Sequence, residues 1–488
     1  MRATGPTEAA DTALEAIATG ERDHGAHLVD LLRRVPADDL VRRAAAAAEA
    51  AFAGGVWMEV DRRRAPITVA LRPRTLDLAT RGYVHHVTWQ VRMGLRRLAG
   101  LRERHPLIAA ALPLADEEAA WIARYQRADG HGPGERVFCR LDALARFDGP
   151  GWRSTLHFIE PNVVGIGGMS YAPVAERALL DHIVPALQEL DPDLTLEPNH
   201  DPRDLLLDEL LDHARLLGVD HPPTLAFVDD KDLYTLGGEF GRLVAHFRAH
   251  GVDALYVDPR ELELAGDGTV LAEGRPVDVI FRFLEIRELI AMEAAGHDLR
   301  AIHAAFQAGR VVPSVAGDIE HKSTFEVLSD PDLNHVFTDE QRAVFREHVL
   351  WTRLFDHRWA TAADGTTVDL VDHARRGRER LVLKPNRTFG GKGVVVGPAV
   401  DPPTWEAALD AALAEPRSHV LQALAPLRAE PTPRLDPTTG ALDFRPCFSA
   451  VGFYPGRRGL GVFGRFASDE VVNIFAGGGV TPFLVNVA

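Results

Sequence analysis

Residues 11–53 are rich in Ala, Leu, Glu and Arg with apolar positions at helical spacing, and Gly54-Gly55 ends the run, so a helical lead-in is predicted. A second helical block covers residues 82–101 and continues past Pro106. Asp116-Glu117-Glu118 then supplies the acidic first turn of a helix that starts near Leu114. At Arg136 the period shortens to two. VFCRLDALARF and STLHFIEPNVV alternate as strands on either side of the turn DGPGW, which predicts a β-hairpin. A helix over residues 175–190 follows, and DPDLTLEPNHDP reads as a loop between lobes.

Residues 224–263 read as a β-α-β unit: TLAFVDD is a buried strand, 240–250 a helix and DALYVDP the next strand, with VDVIFRF adding another. This predicts a small parallel-sheet domain inserted between two halves of a site. After Val311 helices and strands mix again, with RLVLKPN, HVLQAL and FRPCFSAVGFY as strands. The fold class expected is α/β (α+β), divided into a helical N-terminal region (1–135), a strand-rich segment (136–200), an α/β substrate-binding domain (201–310) and a nucleotide-binding core (311–488).

A chain of 488 residues exceeds one ordinary hydrophobic core, and 46% apolar with 25% charged residues is a globular balance. The net charge of -16 repels phosphate backbones, so no nucleic-acid partner is expected, while a few basic side chains in a cleft still suit a small anion. Cys139 and Cys447 are too few for a disulfide framework and lack zinc-ligand spacing. The acidic start MRATGPTEAADTALEAI does not resemble a signal peptide, and no later apolar run approaches ~18 residues. A cytoplasmic setting with no membrane partner is expected. The N-terminal third is a candidate for capping the substrate site or for a homodimer interface.

The chemistry concentrates in LVLKPNRTFGGKGVVVG, residues 381–397. A strand delivers Lys384, and Gly390, Gly391 and Gly393 let backbone N–H groups approach phosphate oxygens while Lys384 and Lys392 supply charge. GKG lacks the Ser or Thr of a Walker A loop and no helix-forming segment follows. A glycine-rich surface hairpin with solvated lysines is the plainer alternative. Earlier, EPN ends a strand with Glu160 and Asn162 two residues apart on one side, a partial Mg²⁺ site of hard oxygen donors. A polar strand end with a capping Asn is its alternative, and Pro173 argues against reading Gly165, Gly167 and Gly168 as a dinucleotide loop.

Taken in chain order, FCRLDALARF, FIEPNVVGIGG, IEHKSTFEVLSD, LVLKPNRTFGGKG and GRFASDEVVNIFAGGGV resemble the circularly permuted ATP-grasp ligases, with eukaryotic-type glutathione synthetase and glutathionylspermidine-synthetase-like proteins the nearest patterns. The resemblance runs from about Arg136 to the C-terminus. It implies a permuted ATP-grasp fold in which the early EPN strand packs against the late nucleotide-binding halves. It implies that Glu160 and Asn162 bind Mg²⁺ and that Lys322 and Lys384, with Asn386, contact ATP. Gly390, Gly391 and Gly393 would form a mobile loop, and Gln422 lies in the adenine-holding segment. Arg140, Arg282 and Arg465 are the implied carboxylate binders, Arg140 and Arg465 with catalytic roles, though lone arginines also serve as salt-bridge partners. Gly477-Gly478-Gly479 would be a second lid.

Two departures stand out. Glutathione synthetase carries an acidic metal ligand where this chain has Thr388, which leaves Asp443 as the candidate replacement. The glycine stretch after Asn162 is also shorter than that family's substrate loop, so glutathione is not assigned as product. The expected reaction is ATP-dependent joining of a carboxylate to an amine of the amino acid, peptide or polyamine class through an acyl phosphate. A nucleotide-binding protein without catalysis and a small-molecule kinase remain the alternatives.

Overall fold

The computed structural model describes residues 24–126, 136–147, 149, 151–233, 238–388, 390–426, 428–436, 439–474 and 477–487. Residues 11–23 of the predicted lead-in and the start MRATGPTEAADTALEAI therefore lie outside the described residues, as do Asp148 and Pro150 of the DGPGW turn. The rest of the lead-in forms helices His24–Arg34 and Ala37–Ala53. The second helix buries Leu40, Ala44, Ala47 and Ala51, a stripe narrow enough for helix Tyr171–His182 to pack closely on it. Pro173 falls in the first turn of that partner helix, where its missing N–H is not needed.

The N-terminal region is not purely helical. Strands Trp57–Val60 and Arg63–Pro66 form a hairpin, Thr68–Val69 joins the edge of the largest sheet beside Gly479–Thr481, and Arg74–Asp77 pairs with Phe483–Asn486. Segments 68–69 and 74–77 show no strand alternation in the sequence, because their partners lie some four hundred residues later. The long helix Leu78–Arg104 follows, capped by Asp77, whose side chain accepts from Thr80 N at 2.6 Å. Val84, Val87, Val91, Leu95 and Leu98 form its buried stripe.

Three sheets position the site. The largest is seven-stranded among the described residues, running Thr68–Val69, Gly479–Thr481, Gly459–Ala467, Pro446–Gly456, Arg140–Leu144, His157–Asn162, with Glu430–Pro431 paired to Pro446–Gly456. The segment predicted as a lobe linker contributes strand Leu196–Pro198, which pairs with Phe483–Asn486. The predicted β-α-β unit is present as a parallel sheet ordered Val311–Val312, Val279–Arg282, Leu225–Val228, Ala254–Val257, with helix Gly238–Ala249 as crossover. The third sheet is antiparallel, ordered Thr352–Leu354, His419–Ala423, Leu381–Pro385, Val395–Val396.

A buried ion pair ties three of these parts together. Arg92, on the long helix, donates to Glu209 Oε1 at 2.9 Å, to the Pro455 carbonyl at 2.6 Å and to the Val137 carbonyl at 3.0 Å. Glu209, on helix Pro202–Leu216, also accepts from Arg136 at 3.3 Å. Glu209→Ala leaves the Arg92 guanidinium buried and unpaired, so a loss of about 3–5 kcal/mol is expected. Urea unfolding measures it; a stability unchanged from wild type would show that the pair carries no weight.

Candidate functional site

The site grows from an irregularity in the EPN hairpin. Strand Arg140–Leu144 pairs with His157–Asn162 so that Asp142 lies opposite Glu160 and Arg140 opposite Asn162, placing four polar residues on one face. Ile159 has no partner in this register: it is the extra residue of a β-bulge. Its carbonyl turns instead to the third sheet, accepting from Gln422 Nε2 at 3.2 Å and Lys384 Nζ at 3.5 Å. His157–Asn162 ends the strand order, and an edge is where Pro161 fits without removing a ladder donor.

Lys384 and Gln422 project from one face because Val382, two residues before Lys384, is registered opposite Gln422. Lys384 Nζ donates to Gln422 Oε1 at 2.6 Å, and Gln422 Nε2 donates to Thr352 Oγ1 at 2.9 Å. Burial pushes the Lys384 ammonium down to about 8; Glu160 pulls the other way, and Lys322 adds to the fall.

Lys322 joins this cluster from the HKST turn. Its backbone N–H donates to the Asn386 carbonyl at 3.0 Å, its Nζ donates to the Thr388 carbonyl, and Nζ stands 3.7 Å from Glu160 Oε1. Asn386 Oδ1 accepts from Ser323 N at 2.9 Å, so the KPN and HKST segments are stapled twice. Beyond Thr388, Gly390, Gly391 and Gly393 have φ of 71°, 71° and 72°, the left-handed region in which successive N–H groups can gather around an anion. Phe389 lies outside the described residues. Asn473 Nδ2 donates to the Gly390 carbonyl at 2.7 Å, bringing the late GRFASDEVVNIF segment onto the glycine loop. A strand, Val395–Val396, follows the loop as expected.

Asn162 Nδ2 donates to the Arg140 carbonyl at 3.4 Å, which leaves Oδ1 free beside the half-buried Glu160 carboxylate. Two hard oxygen donors next to Lys322, Lys384 and the glycine loop fit Mg²⁺, which would need no more than one or two such groups from the protein. A different trio, Asp201, Asp204 and His246, brings its ligand atoms within 4.8 Å of one another, but Arg203 already holds both Asp201 oxygens.

The arginines divide. Arg140 grips Asp142 at 2.7 and 3.0 Å and donates to the Gly167 carbonyl at 2.7 Å; Arg465 reaches the same Asp142 at 2.7 Å. Both therefore border the cluster through a shared carboxylate, and Arg465 Nε remains buried without a partner. Gly452 makes the room: a Cβ there would lie 2.7 Å from Arg140 Cδ. Arg282, in contrast, is 1% exposed and donates to Asp318 and to the carbonyls of Pro313, Leu284 and Ser314. It braces the parallel sheet's end and has no guanidinium face left for a substrate carboxylate.

Two other expectations are corrected. Asp443 does not join Glu160: it sits in the hairpin of Arg434–Leu435 and Leu442–Asp443, paired to Arg434 at 3.1 Å and Arg445 at 2.7 Å. That hairpin bridges Ala70, beside the opposite edge of the large sheet. Gly479 is a strand residue wedged against Thr68, and a Cβ at Gly478 would lie 2.5 Å from the carbonyls of Asn473 and Phe466, so this pair serves close packing and not a lid.

Three participants were missed. Asp142 was legible, two residues after Arg140 on the same strand face. The bulge at Ile159 was not, because a bulge is defined by its partner strand. Glu320 accepts from Val163 N and, at 2.8 Å, from Val164 N, fixing the chain as it leaves Asn162.

No protein-family model and no curated protein matches this sequence. The structure is similar to that of a glutathione synthetase-like effector from Globodera pallida in its apo form, with a TM-score of 0.63, 13% identity, and 93% of this chain and 98% of that chain covered. The fold is glutathione synthetase-like. No helix among the described residues is long and apolar enough to cross a membrane.

Burial, with help from Glu285, pushes the Glu320 carboxyl well above its ordinary value of 4.5. A raised folded-state value means its contribution to stability is complete below that ordinary value and is lost as pH rises through the folded one. Glu320→Gln keeps an acceptor for both N–H groups and cannot ionise, so it should lose less stability than wild type as pH rises above 4.5. Thermal unfolding across this range tests it; parallel pH curves for the two proteins would refute the assignment.

Proposed function

We propose that the protein is a circularly permuted ATP-grasp ligase that joins a carboxylate to an amine with release of ADP and phosphate. The observation that carries this reading is the convergence on the Ile159 carbonyl: it sets Glu160 and Asn162 against Lys384, 225 residues away from Ile159 in sequence, with Lys322 bridging toward the glycine loop. Folding alone does not call for two lysines, a carboxylate and a left-handed glycine loop at one seam between sheets.

In this reading Glu160 and Asn162 Oδ1 hold Mg²⁺, which when bound supplies positive charge to the phosphate oxygens. Lys384 and Lys322 contribute ammonium charge, and the N–H groups of residues 390–393 cover the phosphates. A carboxylate oxygen of the acid attacks the γ-phosphorus, and the bond to the β–γ bridging oxygen breaks to release ADP. The amine nitrogen then attacks the acyl carbon, phosphate leaves, and the amine gives up a proton. Arg465 and Arg140, positioned through Asp142, border the place where charge develops. The loop contact between Asn473 and Gly390 helps keep water from the acyl phosphate.

Thr388 favours a second reading. Its carbonyl is held by Lys322 where the resembled enzymes have an acidic ligand, so a protein that binds nucleotide without turnover is the competing function. Incubation with Mg²⁺-ATP and pools of amino acids, peptides and polyamines, followed by ADP, phosphate and mass detection, separates the two. A dehydrated condensation product requiring both acid and amine establishes the ligase; bound ATP without phosphate release in any pool favours the binder, and a stable phosphorylated product without amide formation marks a kinase. Given turnover, Glu160→Gln should lower kcat/KM by about 10²-fold or more.

Nucleotide binding has a proton signature. Lys384 at about 8 is close to half protonated near that pH, and a phosphate beside it restores the charge. Calorimetry in buffers of different ionisation enthalpy should therefore show uptake of up to about half a proton per nucleotide near pH 8, absent in Lys384→Met. Equal uptake by both proteins would place the nucleotide elsewhere.

A further inference from the structure

A cleft of about 400 Å³ opens where three parts of the chain meet: Leu114 from the N-terminal region, Arg287 after the parallel sheet, and Asn386, Arg387, Thr388 and Arg417 from the third sheet. Asn386 is 2% exposed and held at three points. Its N–H donates to the Ser418 carbonyl at 2.7 Å, its carbonyl accepts from Lys322, and its Oδ1 accepts from Ser323 N. The Ser323 contact fixes the amide's orientation, because the reverse would set two donors face to face. The other end, Nδ2, is buried without a hydrogen-bond partner. An unsatisfied buried donor costs about 1–3 kcal/mol, so at the wall of a cleft it points to an acceptor that arrives with a ligand.

The charge around the cleft agrees. His321 is 2% exposed with both ring nitrogens unpartnered, and Arg387, Arg102, Arg287 and Lys322 hold it well below its ordinary value after burial has done most of the lowering. The carboxylates paired with these arginines are Glu118, which takes Arg387 at 2.8 and 2.6 Å, and Glu285, which takes Arg287 at 2.7 Å. Glu160 lies 3.7 Å from Lys322. Arg417 adds a half-exposed guanidinium 3.6 Å from Asp356. Three arginines and no carboxylate are among the residues that line the cleft, and the free amide hydrogens are donors.

We propose that this cleft binds an oxyanion group, carboxylate or phosphoryl, of a small molecule, with Asn386 Nδ2 and Arg287 as its principal donors. Resting on the ligase reading, the ligand is the remote anionic end of the acid substrate. Asn386–Thr388 is also the stem of the glycine loop, so filling the cleft orders the stem whose Thr388 carbonyl Lys322 holds beside Glu160.

The full chain is titrated by calorimetry with succinate, citrate, inorganic phosphate and the uncharged succinamide, and separately with Mg²⁺-ATP. At least one anion is expected to bind while succinamide does not, and the preference between carboxylates and phosphate identifies the group. Arg287→Gln should weaken that anion about tenfold, the loss of one charge-assisted hydrogen bond, while its melting temperature and Mg²⁺-ATP affinity stay at wild-type values. Arg417→Gln, on a mostly exposed side chain, is a second variant expected to weaken the anion. Failure of every anion to bind the wild type, or undiminished binding in both variants, overturns the proposal. Anion binding without Mg²⁺-ATP binding would instead sink the ligase reading and leave the cleft standing.

Discussion

The ammonium of Lys384 is buried at the seam between two sheets, and much of the molecule is arranged to make that tolerable. A lysine taken out of water needs acceptors, and here they are the Gln422 amide oxygen and the Ile159 carbonyl. The second exists only because the EPN strand bulges at Ile159, and the bulge is tolerated because that strand is an edge. Glu160 and Asn162 follow at once in the chain, so the geometry that satisfies the lysine also presents two oxygen donors to the same space.

Around this seam, arginine–carboxylate pairs form the frame. Arg92 with Glu209, Arg282 with Asp318, Arg387 with Glu118, and Asp142 shared by Arg140 and Arg465 each join segments that different sheets or helices provide, or hold a strand end in place. Breaking any one leaves a buried charge alone, so these pairs fix how elements meet more than they add net stability. Arg140 and Arg465 belong both to the frame and to the border of the site; Arg282 belongs to the frame alone.

The glycines divide in the same way. Gly390, Gly391 and Gly393 take left-handed backbone that a side chain would strain, and a Cβ at Gly391 would stand 2.6 Å from Val471 Cγ1. Gly452, Gly478 and Gly479 are glycine because a neighbouring atom occupies the place of a Cβ. One composition thus serves left-handed backbone in the first set and close packing in the second.

The sequence by itself determined many of the local elements and marked candidate site residues. Alternation marked the EPN hairpin, short apolar runs marked the parallel strands, and charge beside glycine marked residues 384–393, because these patterns depend on near neighbours along the chain. It also ordered the patches that resemble glutathione synthetase, and the solved relative shares that fold. What only the tertiary structure decided was pairing beyond the local segment: strands 68–69 and 74–77 joining C-terminal strands, the bulge at Ile159, the removal of Asp443 to another edge, and the commitment of Arg282 to Asp318. Each depends on which atoms arrive from another segment of the chain, and neither periodicity nor residue type carries that information.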